Sequence, residues 1–391
     1  MNHIYLDYAS TTPVDPEVTK AMEPYMGMDG NLFGNPNAIH YFGQRAHAAL
    51  DDARQKIADS IHANRGDMIF TASATEANNL VLRGAVKKFT KERGKATLPH
   101  IIISAIEHDS IYETARDMER EGVARVSIIP VSPNGIVDVS LLEKKLDDAT
   151  AVVSVMWVNN ETGVLQPVHD IGALVRHARA QHGGAFPFFH SDAAQACVYV
   201  MEGTWHDAID ALTLSSHKIY GPKGAGMLCV TDVSHRIAPL MTGGGQEQDM
   251  RSGTQDVPAI VGYEEAMRVA ALRYTADIQH ASMLMTLLWD GIHATAPDAY
   301  VHATEAPRSP FIMNVCFPGH PRLDIALDMR GIAVSSGSAC AQRHVKPSHV
   351  LAAMGVSDQD SASSIRISIG RHTTKKDITE TVGRMAELMH S

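Results

Sequence analysis

From residue 68 to residue 231 short apolar runs alternate with amphipathic stretches, and this alternation constrains the fold more than any other feature of the chain. The apolar runs cover 68–71, 100–104, 126–131, 151–157, 186–191, 209–215 and 225–231. Runs of this length separated by helix-length connections are joined by crossovers rather than tight hairpins. They build a mostly parallel sheet with helices on both faces. The expected fold class is α/β, with a doubly wound sheet in a large domain. In such sheets the carboxyl ends of the strands line the ligand crevice. Thr75, His108, Asn160, Asp192 and Lys218 each follow the end of a predicted strand. Five chemically capable side chains at one sheet edge mark a candidate site.

The flanking segments read as follows. Residues 1–13 form a short strand and a turn. Asp15-Pro16-Glu17 opens a helix to about Met26, with proline in its first turn. Residues 27–37 are a Gly/Asn/Pro loop. Its Asn35 suits either a turn or an amide that binds a substrate carboxylate. Leu50, Ala53, Ile57 and Ile61 have helical spacing, so 38–63 is an amphipathic helix. Thr75 stands at the start of another helix, where it can cap the helix or join an anion site. Ser140 opens a capping box before a short helix. Residues 242–254 are a Gly-rich loop, either a linker or a phosphate contact lent to a neighbouring subunit. A long helix over 256–295 follows. Strands at 312–317, 332–334 and 364–368, with helices between and after them, suggest a smaller α+β domain. The expected division is 14–260 for the large domain, and 1–13 with 261–391 for the small one.

Bulk properties narrow the function classes. A formal net charge of −10 over 391 residues disfavours non-specific nucleic-acid or anionic-membrane binding. Cys197, Cys229, Cys316 and Cys340 are unclustered, which fits neither a zinc site nor a disulfide framework and suits a reducing compartment. The first ten residues lack a basic leader with an apolar core, and the chain has no run of about 18 apolar residues. The expected location is the cytoplasm, with no membrane contact and no direct nucleic-acid contact.

The chemistry centres on residues 213–226, TLSSHKIYGPKGAG. Here Lys218 follows Ser215, Ser216 and His217 and precedes the turn Gly221-Pro222-Lys223-Gly224. This is compatible with a solvated loop lysine. It is equally compatible with a lysine that forms a Schiff base with an aldehyde cofactor bearing a phosphate, which describes pyridoxal 5'-phosphate (PLP). PLP chemistry also needs a carboxylate at the pyridine nitrogen, for which Asp192 is the candidate. His108 can stack on the ring and relay protons. Gln195 can bond the phenolic oxygen. Ala74, Thr75, Ser215, His217 and Thr254 are candidates for the phosphate. Arg366 is the candidate for a bidentate grip on a substrate carboxylate, with Arg371 as the alternative. Cys340 lies in the small-residue loop SSGSAC, as either a small buried hydrophobe or a thiol free to reach the cofactor and leave.

Ten segments in order, YLDYASTTP, FGNPN, TASATEANN, EH at 107–108, VNNETG, HSDAAQA, SSHKIYGPKG, GGGQEQDMRSGT, SSGSACA and SSIRISIGR, span almost the whole chain. On these the chain resembles the class V aminotransferase family of PLP enzymes, and within it the cysteine desulfurases of the IscS/NifS type. The resemblance implies PLP fold type I with a seven-stranded sheet. It implies that Lys218 carries PLP as the internal aldimine and that Cys340 is the nucleophile that becomes a persulfide. The phosphate pocket would comprise Ala74, Thr75, Ser215, Ser216 and His217, with Thr254 from the partner subunit of a homodimer. Asn160 and Gln195 would lie on the cofactor and His108 over its ring. Arg366, Asn35 and Asn160 would hold the substrate. The implied reaction turns L-cysteine into L-alanine, and a sulfur-acceptor protein takes the persulfide sulfur for iron–sulfur cluster assembly or tRNA thiolation. Aminotransferases and selenocysteine lyases of the same family are the alternatives, and the thiol in SSGSAC favours the desulfurase over transamination. The chain departs from the usual motifs at Ser216, at Trp157 and at Ala341-Gln342-Arg343-His344, and it ends soon after the last helix. These departures bear on the acceptor rather than on the chemistry.

Overall fold

The first strand, β1 (Ile4–Tyr5), pairs outside the main sheet. The main sheet is built from β2 (Met68–Thr71), β3 (His100–Ser104), β4 (Arg125–Ile129), β5 (Thr150–Ser154), β6 (Phe188–Asp192), β7 (Ala211–Ser215) and β8 (Gly226–Val230). A computed structural model describes residues 3–182, 184–203, 205–336 and 347–389. Among these residues the seven strands lie in the order β2-β8-β7-β6-β5-β3-β4. Strand β8 runs antiparallel to β7 and β2, and the remaining neighbours are parallel. The α/β class and the mostly parallel seven-stranded sheet are those expected.

Burial on both faces explains why the strands are continuously apolar. In β3, Ile102 packs with Val153, Phe189 and Leu212 on one face. Ile101 and Ile103 pack with Val152, Phe188 and Leu228 on the other. Each such isoleucine contributes about 2 kcal/mol of burial before chain entropy is counted. The strands are shorter than the apolar runs. Regular pairing of β5 ends at Ser154, although Val155 and Trp157 still donate to the carbonyls of His190 and Asp192 at 3.1 Å.

The chain passes from β3 outward to β4, returns to the other side of β3 as β5, and continues through β6 to β8. That reversal makes a topological switch point between β3 and β5, where open α/β sheets place their ligands.

Three short strands form a second sheet. Strand β9 (Tyr300–Val301) and β12 (Ser364–Ser368) flank β10 (Ile312–Cys316), both antiparallel to it, while β11 (Ile332–Ala333) pairs in parallel with β1. The 39-residue helix Val257–Thr295 serves both regions. Its Val257, Ile260 and Ala270 lie in the core under the main sheet. Its Ala281, Leu284 and Leu288 lie in the core of the small sheet with Val315 and Ile367. The expected boundary at 260/261 thus falls inside one continuous helix.

Two local readings are corrected by the structure. The short helix Val139–Lys145 is capped by Asp138, which accepts from Leu141 N, and not by Ser140. The helix Ala74–Arg93 is capped by Ser73, which accepts from Glu76 N at 3.1 Å. Glu76 in turn accepts from Ala72 N at 2.7 Å, which ties the residue before the cap to the first turn. Thr75 is therefore relieved of capping. The helix from Pro16 also ends earlier than Met26, at Met22, and a 3-10 turn over Glu23–Tyr25 follows it.

Candidate active site

A cavity of about 260 Å³ opens at the carboxyl ends of the strands. Its floor is Asp192, the last residue of β6, and it is almost wholly buried. Oδ2 of Asp192 accepts from Asn78 Nδ2 at 2.7 Å and Oδ1 accepts from Ala194 N at 3.0 Å. Asn78 Nδ2 also donates to Ser110 Oγ at 2.8 Å, and that hydroxyl meets His108 Nδ1 at 2.8 Å. The backbone N–H of Ser110 donates to the same Nδ1 at 3.1 Å. Because Nδ1 accepts, the neutral His108 ring carries its proton on Nε2. A chain of contacts thus runs from Asp192 through Asn78 and Ser110 to His108, and it fixes the imidazole at the cavity wall.

Lys218 ends the 3-10 turn Ser216–Lys218 that follows β7. Its Nζ donates to the carbonyls of Ala9 and Ser10 at 2.6 and 2.8 Å. The N-terminal segment is pinned there by Thr12 N, which donates to His217 O at 3.0 Å. Burial, with the positive charges of Lys218 and Lys223, pushes the His217 imidazole down to about 4. At neutral pH it is therefore uncharged, and its Nδ1 lies 3.1 Å from Thr11 Oγ1.

Ala74 and Thr75 line the cavity at the N-terminus of the 20-residue helix Ala74–Arg93. First-turn N–H groups and the helix dipole favour an anion at that end. Opposite, from β12, comes Arg366, buried to 2% exposure. Its guanidinium donates to Asn160 O at 2.9 Å, Asp7 Oδ1 at 2.8 Å and Ser10 Oγ at 2.7 Å. Its Nε has no hydrogen-bond partner among the described residues.

Glu107 closes the wall between β3 and β5. It is fully buried, and one oxygen accepts from Ser104 Oγ at 2.5 Å and Met156 N at 2.9 Å. Burial pushes its carboxyl up to about 8, so it is largely protonated at neutral pH. The other oxygen, Oε2, has no partner among the described residues.

The structure brings Lys218, Asp192, His108, Gln195, Asn160, His217, Ala74, Thr75 and Arg366 to one cavity. It does not bring the other predicted residues there. Asn35 is exposed, and its Oδ1 accepts from Asn37 N at 2.9 Å, so it acts as the turn asparagine. Ser216 is fully buried below the wall, where a Cβ at Gly221 would come within 2.0 Å of its Oγ. Ser216 does not line this cavity, and the pair Ser216–Gly221 packs closely inside the turn. Ser215 is buried with an unpartnered Oγ but is not part of the wall. Thr254 is exposed and does not line this chain's cavity. Arg371, the alternative carboxylate binder, pairs with Asp15 and Asp277 at 2.9 and 2.8 Å and lies over the Tyr220 ring. It is committed to holding the N-terminal and long helices together. Trp157 packs in the main core and touches the site only through its backbone. Cys340 lies outside the described residues.

Asn78, Ser10, Asp7, Glu161 and His349 escaped sequence reasoning. Asn78 stands one turn after Ala74 within TEANN, a spacing that faces both toward the same sheet edge. For Ser10 and Asp7 the signal was only their membership of LDYAS.

These groups suit PLP. The helix N-terminus and the neutral His217, both on the cavity wall, fit a phosphate. The buried Asp192 carboxylate fits a protonated ring nitrogen. Lys218 presents a primary amine to the same space. In PLP enzymes such a kit lets an amino acid lose a proton at Cα.

Comparisons with known proteins agree with this arrangement. The family profile described as "Aminotransferase class-V" matches residues 4–380. The protein named cysteine desulfurase IscS of Pseudoalteromonas translucida is 41% identical over 384 residues, 98% of this chain and 91% of its own length. That of Rickettsia typhi is 39% identical over 381 residues, 97% of this chain and 89% of its own. Among solved structures, a NifS-like protein superposes with a TM-score of 0.88 at 31% identity, covering 99% of both chains. With its seven-stranded sheet, its cavity at the strand ends and these relatives, the chain belongs to the class V aminotransferase family of PLP-dependent enzymes.

Proposed function

We propose that the chain is a cysteine desulfurase that converts L-cysteine to L-alanine and leaves the sulfur as a persulfide on Cys340. The carrying observation is that a reactive amine, a buried carboxylate, an oriented imidazole and a buried guanidinium converge on one cavity, in a chain about 40% identical to named cysteine desulfurases. The balance is simple. The substrate Cβ–S bond breaks, its sulfur joins the Cys340 sulfur, and Cβ gains a proton; the thiol and L-cysteine give a persulfide and L-alanine.

PLP, when bound, supplies an electron sink that stabilises charge at the substrate Cα. The residues do the rest. Arg366 takes the substrate carboxylate through its fork, and Asp7 and Ser10 fix that fork in advance. Lys218 carries the proton that leaves and returns at Cα. His108, with its proton on Nε2, serves as the second proton carrier near the thiol. Asp192 holds positive charge at the cofactor nitrogen and is itself oriented by Asn78.

The same reading extends to partners and place. The protein acts as a homodimer in which Thr254 meets the other subunit's phosphate site; its exposure and the exposed apolar side chains of Met26, Met28 and Ile39 support this. A sulfur-acceptor protein, an iron–sulfur scaffold or a tRNA-thiolation protein, takes the sulfur. We place the enzyme in the cytoplasm, in line with its unpaired Cys197, Cys229 and Cys316. No described helix is long and apolar enough to cross a membrane. The test is a single assay: the PLP-loaded protein, L-cysteine and dithiothreitol should yield alanine and sulfide in equal amounts. Absence of alanine overturns the reading.

A further inference from the structure

The turn Asn159–Gly163 leaves the main sheet after β5, yet the small domain grips it at Asn160, Glu161 and Gly163. Arg366 donates to Asn160 O at 2.9 Å, and Asn314 Nδ2 donates to Glu161 O at 3.3 Å. Ser309 N donates to Gly163 O at 2.8 Å. The Glu161 side chain makes the tightest of these contacts. Its Oε2 accepts from Ser348 Oγ at 2.6 Å, and the Ser348 hydroxyl also caps the helix His349–Ala353 by accepting from Leu351 N at 3.1 Å. The next residue, His349, reaches the other side of the crevice and lies 2.9 Å from Glu107 O through Nε2. Glu161, Glu107 and His349 all line the cofactor cavity.

Glu161 is 1% exposed. Burying a carboxylate costs several kcal/mol unless hydrogen bonds and opposite charges offset it. A turn that needed only a spacer would have no use for that cost. Burial pushes the Glu161 carboxyl up and Asp109 adds to this, while Ser348 by direct donation and His349 and Arg366 through space work against it; those three all belong to the small domain. The contacts that offset the cost of burying this group therefore come from the small-domain side of the cavity.

We propose that Glu161 is a positioning residue for the step that follows substrate capture: through Ser348 and the turn held by Arg366 it fixes the helix His349–Ala353 and the small domain against the cofactor cavity. This rests on the desulfurase reading above. Glu161 makes no hydrogen bond to the Arg366 side chain among the described residues, and Arg366 keeps Asp7 and Ser10 without it. The lock should therefore act on that later step more than on substrate capture.

The test uses the PLP-loaded protein and its Glu161→Gln, Ser348→Ala and Ser348→Thr variants. Alanine formation from L-cysteine is followed, normalised to bound cofactor, with melting temperature measured alongside. Glu161→Gln and Ser348→Ala should each lower kcat about tenfold, equivalent to about 1.4 kcal/mol, with KM changed less than about twofold. The double variant should lose no more than the worse single one, because the two residues act as a unit. Ser348→Thr should recover most of the rate. Wild-type kcat in both single variants, or a drop in melting temperature alone, overturns the proposal. A fall confined to KM does the same. If the unaltered protein makes no alanine, it is the desulfurase reading that fails, and the two failures are distinct.

Discussion

Replacing Glu107 by glutamine should stabilise the protein at alkaline pH and do little in acid. The carboxyl is fully buried and pushed from 4.5 up to about 8. Folding therefore favours its protonated form. That contribution is complete below the unfolded value near 4.5 and is lost as pH rises through 8. Between pH 5 and pH 9 the wild-type protein should lose up to about 4 kcal/mol relative to the glutamine variant, at roughly 1.4 kcal/mol per pH unit of difference in proton binding. Glutamine can keep the acceptor for Met156 N and Ser104 Oγ. Its amide N–H₂ takes the place of the protonated oxygen. For a chain of 391 residues this difference corresponds to roughly 5 °C in Tm. Thermal melts of both proteins at one-unit pH steps read it directly, because every other titrating group cancels in the difference. A Tm gap that stays flat from pH 5 to pH 9, or one that favours the wild type at pH 9, would refute a neutral buried Glu107.

Other outcomes follow from the same geometry. Lys218→Ala should lose the visible absorption that the wild-type protein shows with PLP; an unchanged spectrum would remove the lysine assignment. Cys340→Ala should keep that absorption yet release no sulfide from L-cysteine, and full activity would end the persulfide route. Arg366→Gln should raise KM for L-cysteine by about 10- to 100-fold, the cost of losing a charged hydrogen-bonded partner, as initial-rate kinetics will show. His190 is buried between Ser154 and Thr213 and pushed down to about 4. It stays neutral in the fold, so its contribution is full above 6.5 and is lost as pH falls through 4. Relative to a His190→Gln variant, the wild type should lose up to about 3 kcal/mol over that interval, measured by urea titration.

Much of this architecture was legible because burial on both faces leaves a plain signature. Runs such as Ile101-Ile102-Ile103 have one reading in an alternating chain, and the polar residue after each run then falls at the crevice without further assumption. What stayed illegible depended on direction or distance. Ser216 carries the same hydroxyl whether it faces a phosphate or Gly221, and only the backbone path of the 3-10 turn decides. Asp138 and Ser140 are both good caps two residues apart, and packing of Leu142 into the core selects the first. Glu161 and Ser348 lie 187 positions apart, and no local pattern relates them. Arg371 and Arg366 differ in the acids beside them, Asp15 and Asp277 against Asp7, which the sequence does not bring together.

The continuous helix that enters both cores has a geometric consequence. Its contacts with the main-sheet core end near Ala270 and those with the small-sheet core begin at Ala281. The turns between carry Asp277, which pairs with Arg371, and their angular phase relates the two cores. One residue inserted there would rotate everything beyond it by about 100° and advance it about 1.5 Å. Seven inserted residues would bring the phase back to within about 20° but displace the small domain by about 10 Å. The pitch of this helix is thus one of the constraints on how the two cores meet at the cavity.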